Sequence, residues 1–124
     1  FSNVNILILG FTFKENCPDF RNTKVTDIID VFNNNNLSYE VYDPHVEIAL
    51  VAEEYNINLL KSKPQMDSFN VVVVAVAHDE FKNLKFKKGT IVYDVKGLYN
   101  KDNVTKRLWK LRNFIEEIFQ KIIF

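Results

Sequence analysis

Seven apolar residues in a row, Val71 to Ala77, limit what this chain can fold into more than any other stretch of it. A strand with one wet face alternates apolar and polar side chains. An unbroken run needs burial on both faces, as for a strand inside a parallel sheet. Three further segments fit beside it: Val4 to Leu9, ending at Gly10; Tyr39 to Tyr42, closed by Asp43-Pro44; and Ile91 to Val95, after the Lys87-Lys88-Gly89 turn. Helical patterns lie between them. Val25, Ile28, Ile29 and Phe32 recur at i, i+3, i+4 and i+7 and share one helix face. Thr23 is placed to cap that helix through its hydroxyl. Asn33 to Asn36 ends it, because Asn accepts left-handed backbone angles and competes for backbone hydrogen bonds. Val46 to Tyr55 reads as a second helix, which Pro44 is able to open. Ile57 to Leu60 reads as a short extended piece, and Lys61 to Ser68 as a loop or short helix. Strands alternating with helices predict an α/β fold. The expected architecture is a doubly wound, mainly parallel sheet with helices on both faces and right-handed crossovers.

At 124 residues the chain makes one domain, and eleven Phe promise a firm core. Asp102 to Leu111 is mixed in pattern. Arg112 to Phe124 sets Ile115, Ile118, Phe119 and Ile122 on one helical face. The expected division is therefore an α/β domain over 1–111 and an amphipathic C-terminal helix over 112–124. That helix packs on the core, or meets another domain; its opposite face has too few cations for a membrane surface. The formal charge of zero argues against non-specific nucleic-acid binding. The single cysteine permits no internal disulfide and suits a reducing cytoplasm. No apolar run approaches the ~20 residues that span a bilayer, and no signal peptide is visible. The abrupt start at Phe1, just before a strand, gives the expectation of a piece of a longer protein.

The loop after the first strand carries the strongest functional pattern: Gly10-Phe11-Thr12-Phe13-Lys14, then Asp19-Phe20-Arg21-Asn22-Thr23. Loops at the carboxyl ends of strands frame the ligand crevice of open α/β sheets. Two cations there, Lys14 and Arg21, suit a phosphate-bearing ligand; solvated loop charges are the plainer reading. With three glycines in the whole chain and no G-x-G-x-x-G, a self-sufficient NAD site is not expected. Cys17 reads as structural, because Asp19 would raise its pKa and no His is near in sequence to act as base. His78-Asp79-Glu80 ends the strongest strand. An acid/base pair is conceivable there, but Asp79 capping a short helix with Phe81, and His78 as a packed polar neighbour, is the simpler account. His45 and His78 lack metal-ligand spacing, so no metal is expected. Asp43 sits where Rossmann folds grip a ribose, yet without the glycine loop it reads as a turn residue. Lys96, in Asp94-Val95-Lys96-Gly97, would face the same crevice as the Gly10 loop if the two strand ends share an edge.

Taken together with Val41-Tyr42-Asp43-Pro44 and Tyr93-Asp94-Val95-Lys96-Gly97, this loop resembles the C-terminal domain of the UDP-glucose/UDP-N-acetylmannosamine dehydrogenase family over roughly Asn5 to Leu111. The Phe-Lys-Glu-Asn-Cys and Asp-Val-Lys-Gly forms are most similar to the bacterial UDP-N-acetylglucosamine 6-dehydrogenase branch, which serves capsule and O-antigen synthesis. The resemblance implies a Rossmann-like domain that binds a UDP-sugar through Phe13, Lys14 and Lys96. It also implies that Arg21 reaches NAD held by a separate N-terminal domain. The parent would be a cytoplasmic homodimer or higher oligomer. It would oxidise C6 of a UDP-N-acetylhexosamine to a carboxylate with two NAD, through a thiohemiacetal and a thioester on a cysteine outside this chain. No catalytic residue falls in this chain, and alone it should be inactive. Lys96 stands where UDP-glucose enzymes carry Arg, so a bidentate grip becomes a point contact. A UDP-glucose 6-dehydrogenase domain is one alternative. A non-enzymatic flavodoxin-like module is another, although a receiver would need acids after the first strand, where Gly10-Phe11-Thr12 stands.

Overall fold

The computed structural model describes residues 4–99. The elements are β1 (Ile6–Leu9), α1 (Val25–Asn34), β2 (Tyr39–Tyr42), α2 (Ile48–Tyr55), β3 (Val71–Val74) and β4 (Ile91–Asp94). Single 3₁₀ turns stand at Met66–Ser68 and Asp79–Phe81. The mixed stretch from Asp102, the helix expected over 112–124 and the division at residue 111 lie outside the described residues.

The four strands form one parallel sheet in the order β2-β1-β3-β4. β1 is central, with Ile6 opposite both Tyr39 and Val71. All four of its side chains are fully buried, which explains why its sequence does not alternate. Ile6 and Ile8 point to one face, where Val25, Ile28, Ile29 and Phe32 of α1 and Val51 of α2 cover them. Leu7 and Leu9 point to the other, under Phe69, Phe81 and Tyr99. Helical elements thus lie on both faces as expected, but on the second face those described are the 3₁₀ turns.

Several local expectations are adjusted by the hydrogen bonding. β3 stops at Val74, short of the apolar run, because after the Ala75 N–H makes the last ladder bond to the Leu9 carbonyl, at 2.9 Å, the Val76 N–H turns onto the same oxygen, at 3.3 Å. Two donors on one acceptor break the ladder. The crossing packs Val76 against Gly10, whose φ of +101° and missing Cβ make room for it; a Cβ there would lie 2.5 Å from that of Val76. Thr23 Oγ1 accepts the Val25 N–H at 3.2 Å, although Lys24 occupies the cap position. The Asn run ends α1 as expected, with Asn36 at φ 57°. α2 begins at Ile48 rather than Val46, and Pro44 does not open it. The Asp43 carboxylate accepts the His45 N–H at 2.8 Å and holds this stretch in a turn. Ile57 to Leu60 joins no ladder; its link to β2 is the Leu60 N–H to the Val41 carbonyl, 2.8 Å.

Candidate functional site

Because the sheet is parallel, the loops after all four strands open at one edge. The chain passes from β1 outward to β2, then back across to β3, so the order reverses between β1 and β3. Such a switch point is where doubly wound sheets hold ligands, since the flanking loops depart to opposite faces. The β1 loop runs to α1 on the first face, and the β3 loop to the turn carrying Phe81 on the second.

Buried polar groups span this switch point. Asp43, at the end of β2, is 3% exposed. Its Oδ2 accepts the N–H of Phe11 at 2.6 Å and of Thr12 at 3.1 Å, and lies 2.9 Å from Nε2 of His78. Its Oδ1 takes the His45 N–H. His78 is fully buried. Its Nδ1 accepts the Asn16 N–H at 2.8 Å, so the ring hydrogen sits on Nε2, facing Asp43 and Thr12 Oγ1 at 3.1 Å. Asn16, at φ 58°, returns Oδ1 to the Asp79 N–H at 2.9 Å. The Thr12 hydroxyl donates onward to the Lys14 carbonyl, 2.9 Å. Burial pushes the Asp43 carboxyl up. The hydrogen bonds from His78, Phe11 and His45 outweigh that and hold it below the usual carboxylate range. Beside this core, His45 stacks on His78 with ring centres 4.4 Å apart and pairs with Glu80 at 2.9 Å.

The first loop is therefore tied to the ends of β2 and β3 before it reaches the predicted residues. Phe13 is 51% exposed, and the Lys14 side chain is exposed, with no hydrogen bond or ion pair from its ammonium among the described residues. A bond from the Phe13 N–H to the Asp19 carbonyl, 2.9 Å, closes the loop. Lys96 is exposed after β4, at the same edge but two strand positions from β1, or about 10 Å across the sheet. Its turn is held from below by buried Asp94, whose oxygens accept the N–H groups of Leu98 and Tyr99 at 2.9 and 2.8 Å. Arg21 stands apart from the switch point. It forms a two-pronged pair with Asp19, at 3.0 Å for each contact, which helps hold the Asp19 carboxyl at about 2. It lines a cleft of about 510 Å³ with Leu50, Glu53 and Glu54.

Three residues are more than the sequence suggested. Asp43 is a turn residue, as read, and also a buried hub. His78 is a partner of both neighbouring loops. Asp79 does not cap its turn; it pairs with Lys82 at 2.9 Å, and Asn16 satisfies its N–H. The available signal was an acid closing one strand and a His closing the next. Their pairing across β1 depends on strand order. The residues present do not fit a dinucleotide cradle. Gly10 is packed against Val76, and both oxygens of Asp43, the ribose-gripping position, are taken by backbone and His78. Among the described residues no group of His, Cys, Asp or Glu is arranged to hold a metal, and no helix is long and apolar enough to cross a membrane.

Residues 7–101 match the UDP binding domain of the UDP-glucose/GDP-mannose dehydrogenase family. This chain belongs to that family. The UDP-binding domain is 39% identical over 110 residues to the UDP-N-acetyl-D-glucosamine 6-dehydrogenase of Pseudomonas aeruginosa, covering 83% of this chain and 26% of that protein. It is 38% identical over 112 residues to the protein CapL of Staphylococcus aureus, covering 84% and 26%. The chain thus spans about a quarter of the length of these relatives. Among solved structures, a UDP-D-ManNAc dehydrogenase from Pyrococcus horikoshii superposes with a TM-score of 0.65 at 20% identity, over 86% of this chain and 25% of that one. The UDP-N-acetyl-mannosamine dehydrogenase Cap5O from S. aureus gives 0.61 at 24%, over 87% and 26%. At these identities the superpositions establish the Rossmann-like α/β fold of the domain.

Proposed function

We propose that this domain binds the UDP-sugar of an NAD-dependent UDP-N-acetylhexosamine 6-dehydrogenase, which oxidises C6 to a carboxylate for surface polysaccharide synthesis. The observation that carries this reading is the 39% identity over 110 residues to a UDP-N-acetyl-D-glucosamine 6-dehydrogenase. Lys14 and Lys96 supply cations to the diphosphate and sugar from two loops of one sheet edge, and Phe13 offers an exposed ring beside them. Their part is to fix the substrate so that its reacting carbon meets groups supplied by other domains; remote binding energy of this kind helps orient the chemistry. NAD accepts the hydride when bound elsewhere in the enzyme, and this chain contributes Arg21 toward it. The domain alone has no nucleophile for the reaction and is expected to be inactive. The full enzyme is proposed to be a cytoplasmic homodimer or larger assembly.

The test is a titration of the isotope-labelled chain with UDP-N-acetylglucosamine, UDP-glucose and NAD, followed through amide shifts. Saturable shifts confined to Phe11–Lys14 and the Lys96 turn, larger for the acetylated sugar and absent with NAD, are the expected result. Shifts centred on the Arg21 cleft, or none with any UDP-sugar, would refute the binding role.

A further inference from the structure

We infer that His78, seated on Asp43, and Asn16, bonded to His78, are positioning residues that set the Phe13-Lys14 segment over the switch point. The inference rests on the reading that Lys14 meets the UDP-sugar, and it assigns a task to buried groups which that reading leaves idle. Lys14 is a long side chain on an exposed loop; unless its backbone is fixed, each contact it makes must also order the loop. The structure fixes that backbone from three sides. Asp43 grips the N–H groups of Phe11 and Thr12. Thr12 Oγ1 holds the Lys14 carbonyl. His78 Nδ1 takes the N–H of Asn16, two residues beyond Lys14, while Asn16 Oδ1 holds the backbone after His78. The two nitrogens of His78 divide the work: Nε2 is seated on Asp43 and Thr12, and Nδ1 reaches the loop. His78 is fully buried and touches no ligand position itself, so its influence passes through the loop.

That division makes the inference separable from ordinary folding. In His78→Gln the terminal amide replaces Nε2 toward Asp43, but nothing replaces Nδ1. Amide hydrogen exchange of the full 124-residue chain, without ligand, should then accelerate at Asn16 and through 12–16, while β1 and β3 keep their protection. Unchanged exchange at Asn16 would overturn the inference whatever the ligand. For binding, UDP titrations by calorimetry compare Lys14→Ala, His78→Gln and the double variant. His78→Gln alone should weaken UDP roughly tenfold, the scale of a small misplacement of a binding group. In the Lys14→Ala background it should add almost nothing, since both changes remove one contact. Additive losses would mean that His78 serves general stability, and would overturn the inference. No effect of Lys14→Ala by itself would instead refute the UDP-sugar reading, leaving exchange to judge the loop. If His78→Gln fails to fold, exposed Asn16 carries the same test. Asn16→Gly keeps the left-handed backbone but loses Oδ1 and should weaken UDP; Asn16→Asp restores an oxygen and should recover it. Equal affinities for these two variants and the parent chain would count against the inference.

Discussion

At the scale of single residues, Asp43 is the most consequential side chain. One carboxylate satisfies three backbone N–H groups and the His78 ring. Asp43→Asn replaces an acceptor by a donor and faces N–H with N–H, so it should cost about 2–4 kcal/mol in urea unfolding at neutral pH. The sign of its pH dependence follows from its lowered folded pKa. The carboxylate's contribution is complete above the unfolded value of about 4, and is lost as pH falls through the folded value. Unfolding curves at pH 6 and pH 3 should therefore show a smaller acid loss in Asp43→Asn than in the parent chain. Gly10→Ala is the other sharp case. It combines a φ of +101° with a Cβ 2.5 Å from Val76 Cβ and 2.9 Å from the Val76 nitrogen. A loss of about 3 kcal/mol or more is expected in thermal or urea melts. Gly89, also at positive φ but with open space around it, should tolerate alanine better. Phe13, Lys14, Lys96 and Arg21 were legible in sequence as loop residues after strands. Asp43 and His78 as a pair were not. They are 35 positions apart and meet only because β1 lies between β2 and β3.

At the scale of elements, apolar runs and helix periodicity carried most of the information. Tyr39–Tyr42 appears with the bounds read from the sequence, and the α1 face is Val25, Ile28, Ile29 and Phe32. Phe32→Ala should cost about 3–5 kcal/mol by chemical denaturation, since its ring is fully buried on the Ile6-Ile8 face. Leu50→Ala on α2, 47% exposed, should change stability by well under about 1 kcal/mol. Boundaries were less legible where backbone groups choose between partners. The apolar run past Val74 cannot reveal that Ala75 and Val76 share the Leu9 carbonyl. The start of α2 depends on Asp43 capturing the His45 N–H, and any Asp-Pro-His could equally have opened a helix.

At the scale of the whole molecule, the loop edge that carries Lys14 and Lys96 is divided between two supports. Asp94 steadies the Lys96 turn, and the Asp43–His78 pair steadies the Lys14 loop. The two lysines arise from independently braced loops, so their contributions to UDP binding should add. Lys14→Ala and Lys96→Ala should each weaken UDP about tenfold, through loss of a charge-assisted contact, and the double variant about a hundredfold. Isothermal titration checks this; a double variant no weaker than either single one would show that only one lysine reaches the nucleotide. Alternation of strands and helices was enough to read the α/β architecture, and three separated motifs gave the family. The placement of the Lys14 and Lys96 loops above their buried supports depended on strand order, which no local pattern records.

That strand order also bears on how the chain reaches its native state. Of the four strands β1 comes first in the chain, yet it is the most enclosed, and its second neighbour arrives 65 residues later with Val71 opposite Ile6. An emerging Ile6-Leu7-Ile8-Leu9 segment must therefore wait, apolar on both sides, until Val74 has been synthesised. Parallel pairing over such separations places refolding at roughly milliseconds to seconds rather than microseconds. It also makes the first strand a natural client for chaperones during translation.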